Sequence, residues 1–347
     1  MKITHNILLV IALILTGCNG TSSLDPEVAR SENQPIRFAV SGDLSVKSKA
    51  VIDESNYTEF GFKALGALTV DTGNNYEIFG TNGVEVTYTT SGWGYSPVRY
   101  WQPGSYVFAG VMPSALSCTP SLSQTNHKQL TLDFADGFNL AQSQVDLLVA
   151  FDDVDVESVA GMTSTAVDFD FEHQLALVVI QGTSVDPDTK GIEIKEIKVY
   201  GNSPATVGDM VFTYAEATAT TPSTISYDYE LVSNTTKNNI YKTFSRPAEQ
   251  TGVSADKDWN LVAAGESLVY DVLVPELLVF PQQCTFTIAI TYKEDNIEKT
   301  RVGSLSADWE AGKKYTYTFK LATDITFSVA VSEWITANVN DTPIDII

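Results

Sequence analysis

Cys18 closes the tetrapeptide LTGC, which follows Lys2 and an apolar run from Ile7 to Leu15. That run is too short to cross a bilayer but has the length of a signal-peptide core. A small residue before a cysteine at this place is a lipobox. The Cys18 thiol is then acylated, with palmitate among the chains, and becomes the new N-terminus. Each buried CH₂ contributes about 0.8 kcal/mol, so two or more chains make a stable anchor. Residues 1–17 read as the leader, and 18–35, NGTSSLDPEVARSENQP after the cysteine, as a lipidated polar tether.

The other groups able to do chemistry are sparse. Cys118 and Cys284 lie 166 positions apart with neither CxxC nor metal-ligand spacing; in an oxidising compartment they could pair, but two buried free thiols are the expectation. The mature chain has two histidines, His127 and His173. His173 shares its parity with Val167, Phe169 and Phe171, which predicts a hydrogen-bonded histidine on a sheet face. The acidic runs DDVDVE, from Asp152, and DFADG, from Asp133, lack the spacing of a calcium loop, and no metal site is assigned. No P-loop, glycine-rich nucleotide loop, GxSxG or HExxH occurs, so the chain does not read as an enzyme and implies no cofactor. With 43 acidic against 21 basic residues the formal charge is −22, which repels nucleic acid and anionic membranes.

Period-two alternation dominates the remainder. IRFAV puts Ile36, Phe38 and Val40 on one face, and VEVTY, KQLTLDF, IEIKEIKVY, CTFTIAITY, KKYTYTFKL and ITFSVAVSEW repeat the pattern. Turn chemistry separates these runs in DTGNN, TNG, QPG, ADG and EAGK. Many short strands at this spacing mean β-sandwiches. A length of 347 residues suits two of them, and GTSVDPDTKG, 182–191, is the best boundary, giving domains at 36–184 and 185–347.

Four segments carry a resemblance. WGYSPVRYWQPGSYVFAGVMP is similar to an aromatic- and proline-rich signature of Bacteroides-type fimbrillins, two-domain pilin subunits that begin as lipoproteins. VDLLVAF with VDFDFEHQLALVVI, LLVFPQQCTFTIAITYK, and DWEAGKKYTYTFKLATDITFSVAVSEW resemble later segments of the same family, in the same order. The resemblance implies an all-β chain of two antiparallel, Greek-key, transthyretin-like sandwiches. It implies an outer-membrane lipoprotein of the cell surface or fimbrium. The partners implied are other fimbrial subunits, as a homo- or heteropolymer, the outer membrane through lipid, and a host or bacterial surface receptor. In such a fold the aromatics of 93–108 fill the space between sheets, although outward-facing rings such as Tyr95 or Tyr100 leave a carbohydrate platform open.

Family assembly proceeds by strand donation: proteolysis removes the leader with the first strand, and a neighbour's tail refills the gap. Here the removable strand is Ile36, Phe38 and Val40, whose burial is worth roughly 1.5–3 kcal/mol each. The family's Arg–Ala processing site falls at Lys49–Ala50, with Lys47, Arg30 and Arg37 as poorer alternatives. The tail offers Ile335, Ala337 and Val339, with Ile344 and Ile346 beyond Pro343. Thirteen residues follow Trp334, reaching at most about 45 Å. The same parity continues from Val329 and Val331, so the tail also reads as the last strand of its own domain. A surface glycan-binding lipoprotein of a polysaccharide-uptake system is the competing function.

Overall fold

The computed structural model describes residues 34–41, 52, 56–70, 75–123, 125, 128–141, 143–160, 162, 166–184, 192–201, 206–231, 240–245, 260–261, 271–321, 325–333 and 344–345. Among them the chain is all-β, and the one helical element is a 3₁₀ turn at Tyr57–Glu59. Valine, isoleucine, threonine and aromatic residues fill the strands, as a pleated, half-buried surface requires.

A seven-stranded antiparallel sheet forms the centre of the first half. Its order is Glu172–His173, Leu148–Val156, Gly104–Met112, Phe62–Thr69, Val84–Thr89 and Gly92–Gly94, with Asn75–Glu77 also on Phe62–Thr69. Both faces of its middle strands are buried. Phe62, Leu68, Tyr106, Phe108 and Leu148 face an aromatic cluster on one side. Leu65, Ala109, Val111, Val149 and Phe151 face a larger core on the other. Continuous apolar runs such as VFAGVM follow from this, since neither face meets water.

The aromatic side is closed by a two-stranded parallel ribbon, Arg37–Ser41 against Ala166–Asp170. The opposite side meets a sheet built from both halves of the sequence, in the order Thr224–Leu231, Thr206–Ala215, Gln129–Asp133, Thr119–Leu122, with Phe138–Asn139 also on Thr206–Ala215. Phe151 stacks on Tyr214 across this junction, with centroids 5.2 Å apart and planes 3° from parallel.

Two further five-stranded sheets complete the chain. One runs Asp271–Val279, Ala176–Ser184, Lys313–Leu321, Ile325–Glu333, Ile344–Asp345; the other runs Ile240–Ser245, Ile192–Gly201, Gln282–Glu294, Ile297–Trp309, with Asn260–Leu261 on Ile192–Gly201. Phe286, Trp309 and Tyr317 pack between them, and the buried Trp309 Nε1–H donates to Tyr317 Oη at 3.1 Å. Most pairs are antiparallel as expected. Two are parallel, Arg37–Ser41 with Ala166–Asp170 and Ala176–Ser184 with Lys313–Leu321. Pairing also crosses position 184/185 twice, through 176–184 and through 129–139.

Candidate assembly site

Residues 34–41 are sewn in from two sides. On one side, Ile36 N–H donates to Arg99 O and Trp101 N–H donates to Gln34 O, each at 2.9 Å, around a Pro35–Tyr100 bridge. On the other, Phe38 and Val40 lie in register with Val167 and Phe169. Tyr95 adds a side-chain clamp: its hydroxyl donates to Ile36 O at 3.0 Å and accepts Arg99 N–H at 3.2 Å. Burial pushes the Tyr95 phenol pKa up, against the opposing pull of Arg99. The ring expected to face outward is therefore half-buried and holds the first strand, whereas Tyr100 is exposed.

Beneath this strand lies an aromatic slot. Phe38, 6% exposed, stacks on Phe169 at 5.6 Å and meets Phe62, Phe79, Tyr95 and Phe108 within 6.4 Å. Ile36 is fully buried, Val40 half-buried, and Arg37 points to solvent between them. Trp101, Tyr106 and Phe108 lie in the same core, and Trp93 is half-buried against Phe62. The stretch 93–108 is thus mostly wall, with Tyr100 as its outward face.

Ile52 re-enters the described chain on the same core. Its N–H donates to Asp146 Oδ2 at 3.0 Å, and that oxygen lies 3.0 Å from Nδ1 of the buried His173. Asp146 Oδ1 accepts Leu147 N–H at 2.9 Å. His173 is therefore a paired core histidine, as its parity suggested. Asp146 and the 166–170 partner strand are the two features that sequence reasoning missed. A buried carboxylate satisfied by backbone donors from afar leaves no local motif, and parallel pairing leaves no hairpin signal.

Residues 170–174 also wall a cleft of about 490 Å³, together with Tyr227, Glu310, Lys313 and Glu333. Lys313 pairs with Glu333, the last residue of its strand. Burial, then a neighbouring carboxylate, pushes the pKa of both Asp170 and Glu172 up. Asp152 is raised by burial as well, although Asp168 N–H donates to it at 2.8 Å. Among the described residues no group of three or more His, Cys, Asp or Glu is placed to hold a metal ion. Cys118 and Cys284 are free, half-buried thiols, and burial raises both, Cys284 to about 12. At that value the thiol stays protonated and unreactive.

At the tail, Ile344 and Asp345 pair antiparallel with Val329 and Ser328 of their own chain. Ile335, Ala337, Val339 and Ile346 lie outside the described residues, as do Cys18, Arg30, Lys47, Lys49, Ala50 and His127. Among the described residues no helix is long and apolar enough to cross a membrane.

Comparison with known proteins decides what kind of molecule carries this seat. The fimbrillin-like family profile matches residues 61–334. The chain belongs to the fimbrillin-like family. The family places this fimbrillin-like chain at the cell surface as a fimbrial or adhesive subunit. No curated protein matches the sequence. Similar solved structures include three provisionally named cell adhesion proteins. One from Bacteroides ovatus is 12% identical, covering 88% of this chain and 99% of that one, with a TM-score of 0.48. One from Bacteroides uniformis is 14% identical, covering 87% and 99%, at 0.46. One from Parabacteroides distasonis is 10% identical, covering 87% and 100%, at 0.43.

Proposed function

We propose that this fimbrillin-like chain is exported as a lipoprotein acylated at Cys18 and polymerises by strand exchange after proteolysis at Lys49–Ala50. The observation that carries the reading is the seating of Phe38 among five rings, on a strand that pairs with the 166–170 strand and is bonded at its start to residues 95–101. Cutting after Lys49 frees everything from Cys18 to Lys49. Its departure empties a slot that held two buried apolar side chains, worth roughly 1.5–3 kcal/mol each. It also strips the 166–170 strand of its ladder partner and Arg99 of an N–H donor. An exposed ladder edge over an apolar slot takes up another strand.

The replacement is the tail of a neighbouring copy or of a related subunit. Ile335, Ala337 and Val339 have the spacing of Ile36, Phe38 and Val40. In the uncut subunit the described part of the tail, Ile344 and Asp345, pairs with its own 325–333 strand, a sheet-edge pairing that exchange would have to release. Residues 18–35 then serve as the tether up to cleavage, and 36–184 and 185–347 as two sandwiches that share sheets.

Limited trypsin treatment of the chain purified without its leader tests this. The expected result is a new N-terminus at Ala50, together with a ladder of oligomers that resists dissociation. N-terminal sequencing that finds Lys49–Ala50 intact while other loops are nicked sinks the proposal, as does a cut chain that stays monomeric. Separately, Cys18→Ser is expected to move the protein out of the membrane fraction.

A further inference from the structure

We infer that the open cleft between the 75–77 strand and residues 98–102 binds a neutral pyranose of a glycan. The cleft holds about 760 Å³, and Tyr76, Glu77, Val98, Arg99, Tyr100 and Gln102 line it. Tyr76 is 52% and Tyr100 47% exposed. Neither ring pairs with another aromatic among the described residues, unlike the equally exposed Tyr88, which packs edge-on to Trp93 at 5.1 Å. Two large rings left unstacked in one cleft offer the flat apolar surface that the C–H face of a pyranose covers.

The polar lining fits the rest of a sugar. Arg99 brings a fork of N–H donors, Gln102 a donor and an acceptor, and Glu77 a carboxylate whose Oε2 is held by the Thr81 hydroxyl at 3.1 Å, the set that reads vicinal hydroxyls. One acid and one base leave the lining neutral, on a chain with a formal charge of −22. Sialylated or uronate glycans meet that field as repulsion, so a neutral sugar is the ligand class.

Both walls are fixed before any ligand arrives. Tyr106 Oη accepts Gln102 N–H at 2.7 Å and donates to Gln102 O at 2.9 Å. Arg99 N–H donates to Tyr95 Oη, and Tyr100 is bridged to Pro35. Opposite, Tyr76 is in register with Leu68, and Ile78 N–H donates to Gly66 O at 2.8 Å. A wall already ordered adds little entropic cost to binding. The cleft gives the adhesive role a ligand class. It concerns the uncut chain, so it stands or falls apart from strand exchange.

The test uses uncut protein on a printed array of neutral and sialylated glycans. Saturation-transfer NMR follows, with methyl β-D-galactopyranoside and methyl α-D-mannopyranoside as probes. Neutral glycans are expected to bind. Tyr76→Ala, Tyr100→Ala and Arg99→Met are each expected to weaken binding about tenfold with unchanged melting temperature. Tyr88→Ala is expected to bind as the wild type. Binding of no neutral sugar by either method, binding of sialylated glycans alone, or affinities that the Tyr76 and Tyr100 variants leave within twofold would each overturn the assignment. Failure to polymerise after trypsin leaves it standing.

Discussion

Residues 36–40 and 335–339 alternate apolar and polar side chains in the same rhythm, and Ile344 and Asp345 beyond the second stretch pair at the edge of a sheet. At the first, the backbone is held from both sides, a tyrosine hydroxyl grips Ile36 O, and Phe38 sits among five rings. At the last, the described residues Ile344 and Asp345 pair with Val329 and Ser328 of the 325–333 strand. Alternation therefore says only that a segment wants one face covered. What it is worth depends on the surface beneath and on how many backbone groups it satisfies. Two segments can share a pattern and differ in how firmly they are held.

Phe38→Ala tests the firm end of that contrast most severely. Truncating a buried phenylalanine costs about 3–5 kcal/mol, read as a shift in the denaturant midpoint with the slope unchanged. Val40→Ala, on a half-buried side chain of the same strand, is expected to cost about 1 kcal/mol. Equal losses at the two positions would mean that the slot does not discriminate between them.

Glycines sharpen the comparison next. A Cβ on Gly110 would lie 2.9 Å from Phe171 Cζ and 3.0 Å from two ring atoms of Phe169. Phe169 stacks on Phe38 and Phe171 packs against Phe169 and Phe62, so Gly110→Ala is expected to destabilise by about 1–3 kcal/mol. Gly303 is tighter on paper, with Phe327 Cε2 at 2.1 Å. Phe327 is only half-buried and can swing outward, and Gly303→Ala is expected to cost less. Thermal melts of the two variants check the order.

The acidic cleft beside the ribbon separates the two ends by pH. Burial holds the Asp170 and Glu172 pKa values above their ordinary 3.8 and 4.5. The folded state thus binds these protons more tightly than the unfolded chain. Their contribution to stability improves as pH falls from neutral through the raised values, and is complete below the ordinary ones. Asp170→Asn with Glu172→Gln is expected to lose that gain. The check is the wild-type minus variant difference in melting temperature, followed from pH 7 to pH 4. A difference that stays flat or grows in the opposite sense contradicts the cause assigned to the shifts.

Sequence reasoning reached the all-β class and the parity of Ile36, Phe38, Phe169 and His173 because alternation is local. The family resemblance, and not alternation, put the aromatics of 93–108 between sheets, where Trp101, Tyr106 and Phe108 lie. Neither foresaw that 62–69 and 104–112 are buried on both faces, since an apolar run fits several elements equally well. Nor could spacing show that 129–133 pairs with 206–215, or that 37–41 runs parallel to 166–170. Pairing over such separations is decided by the whole core. Asp146, satisfied by Ile52 from 94 residues away, belongs to the same blind spot.

The smallest effect is expected where the tail begins to matter most. Deleting Ile344 to Ile347 removes two paired residues from the edge of the 325–333 strand. Losing two ladder residues at a sheet edge is expected to change stability by about 0.5 kcal/mol or less. The same deletion shortens the arm that a neighbour would receive, so it should slow or abolish oligomers formed after trypsin cleavage while leaving the monomer intact. A tail that matters to polymer and not to monomer is an arm. If removing it instead unfolds the subunit, these residues are the last strand of their own domain, and the contrast between the two ends of the chain disappears.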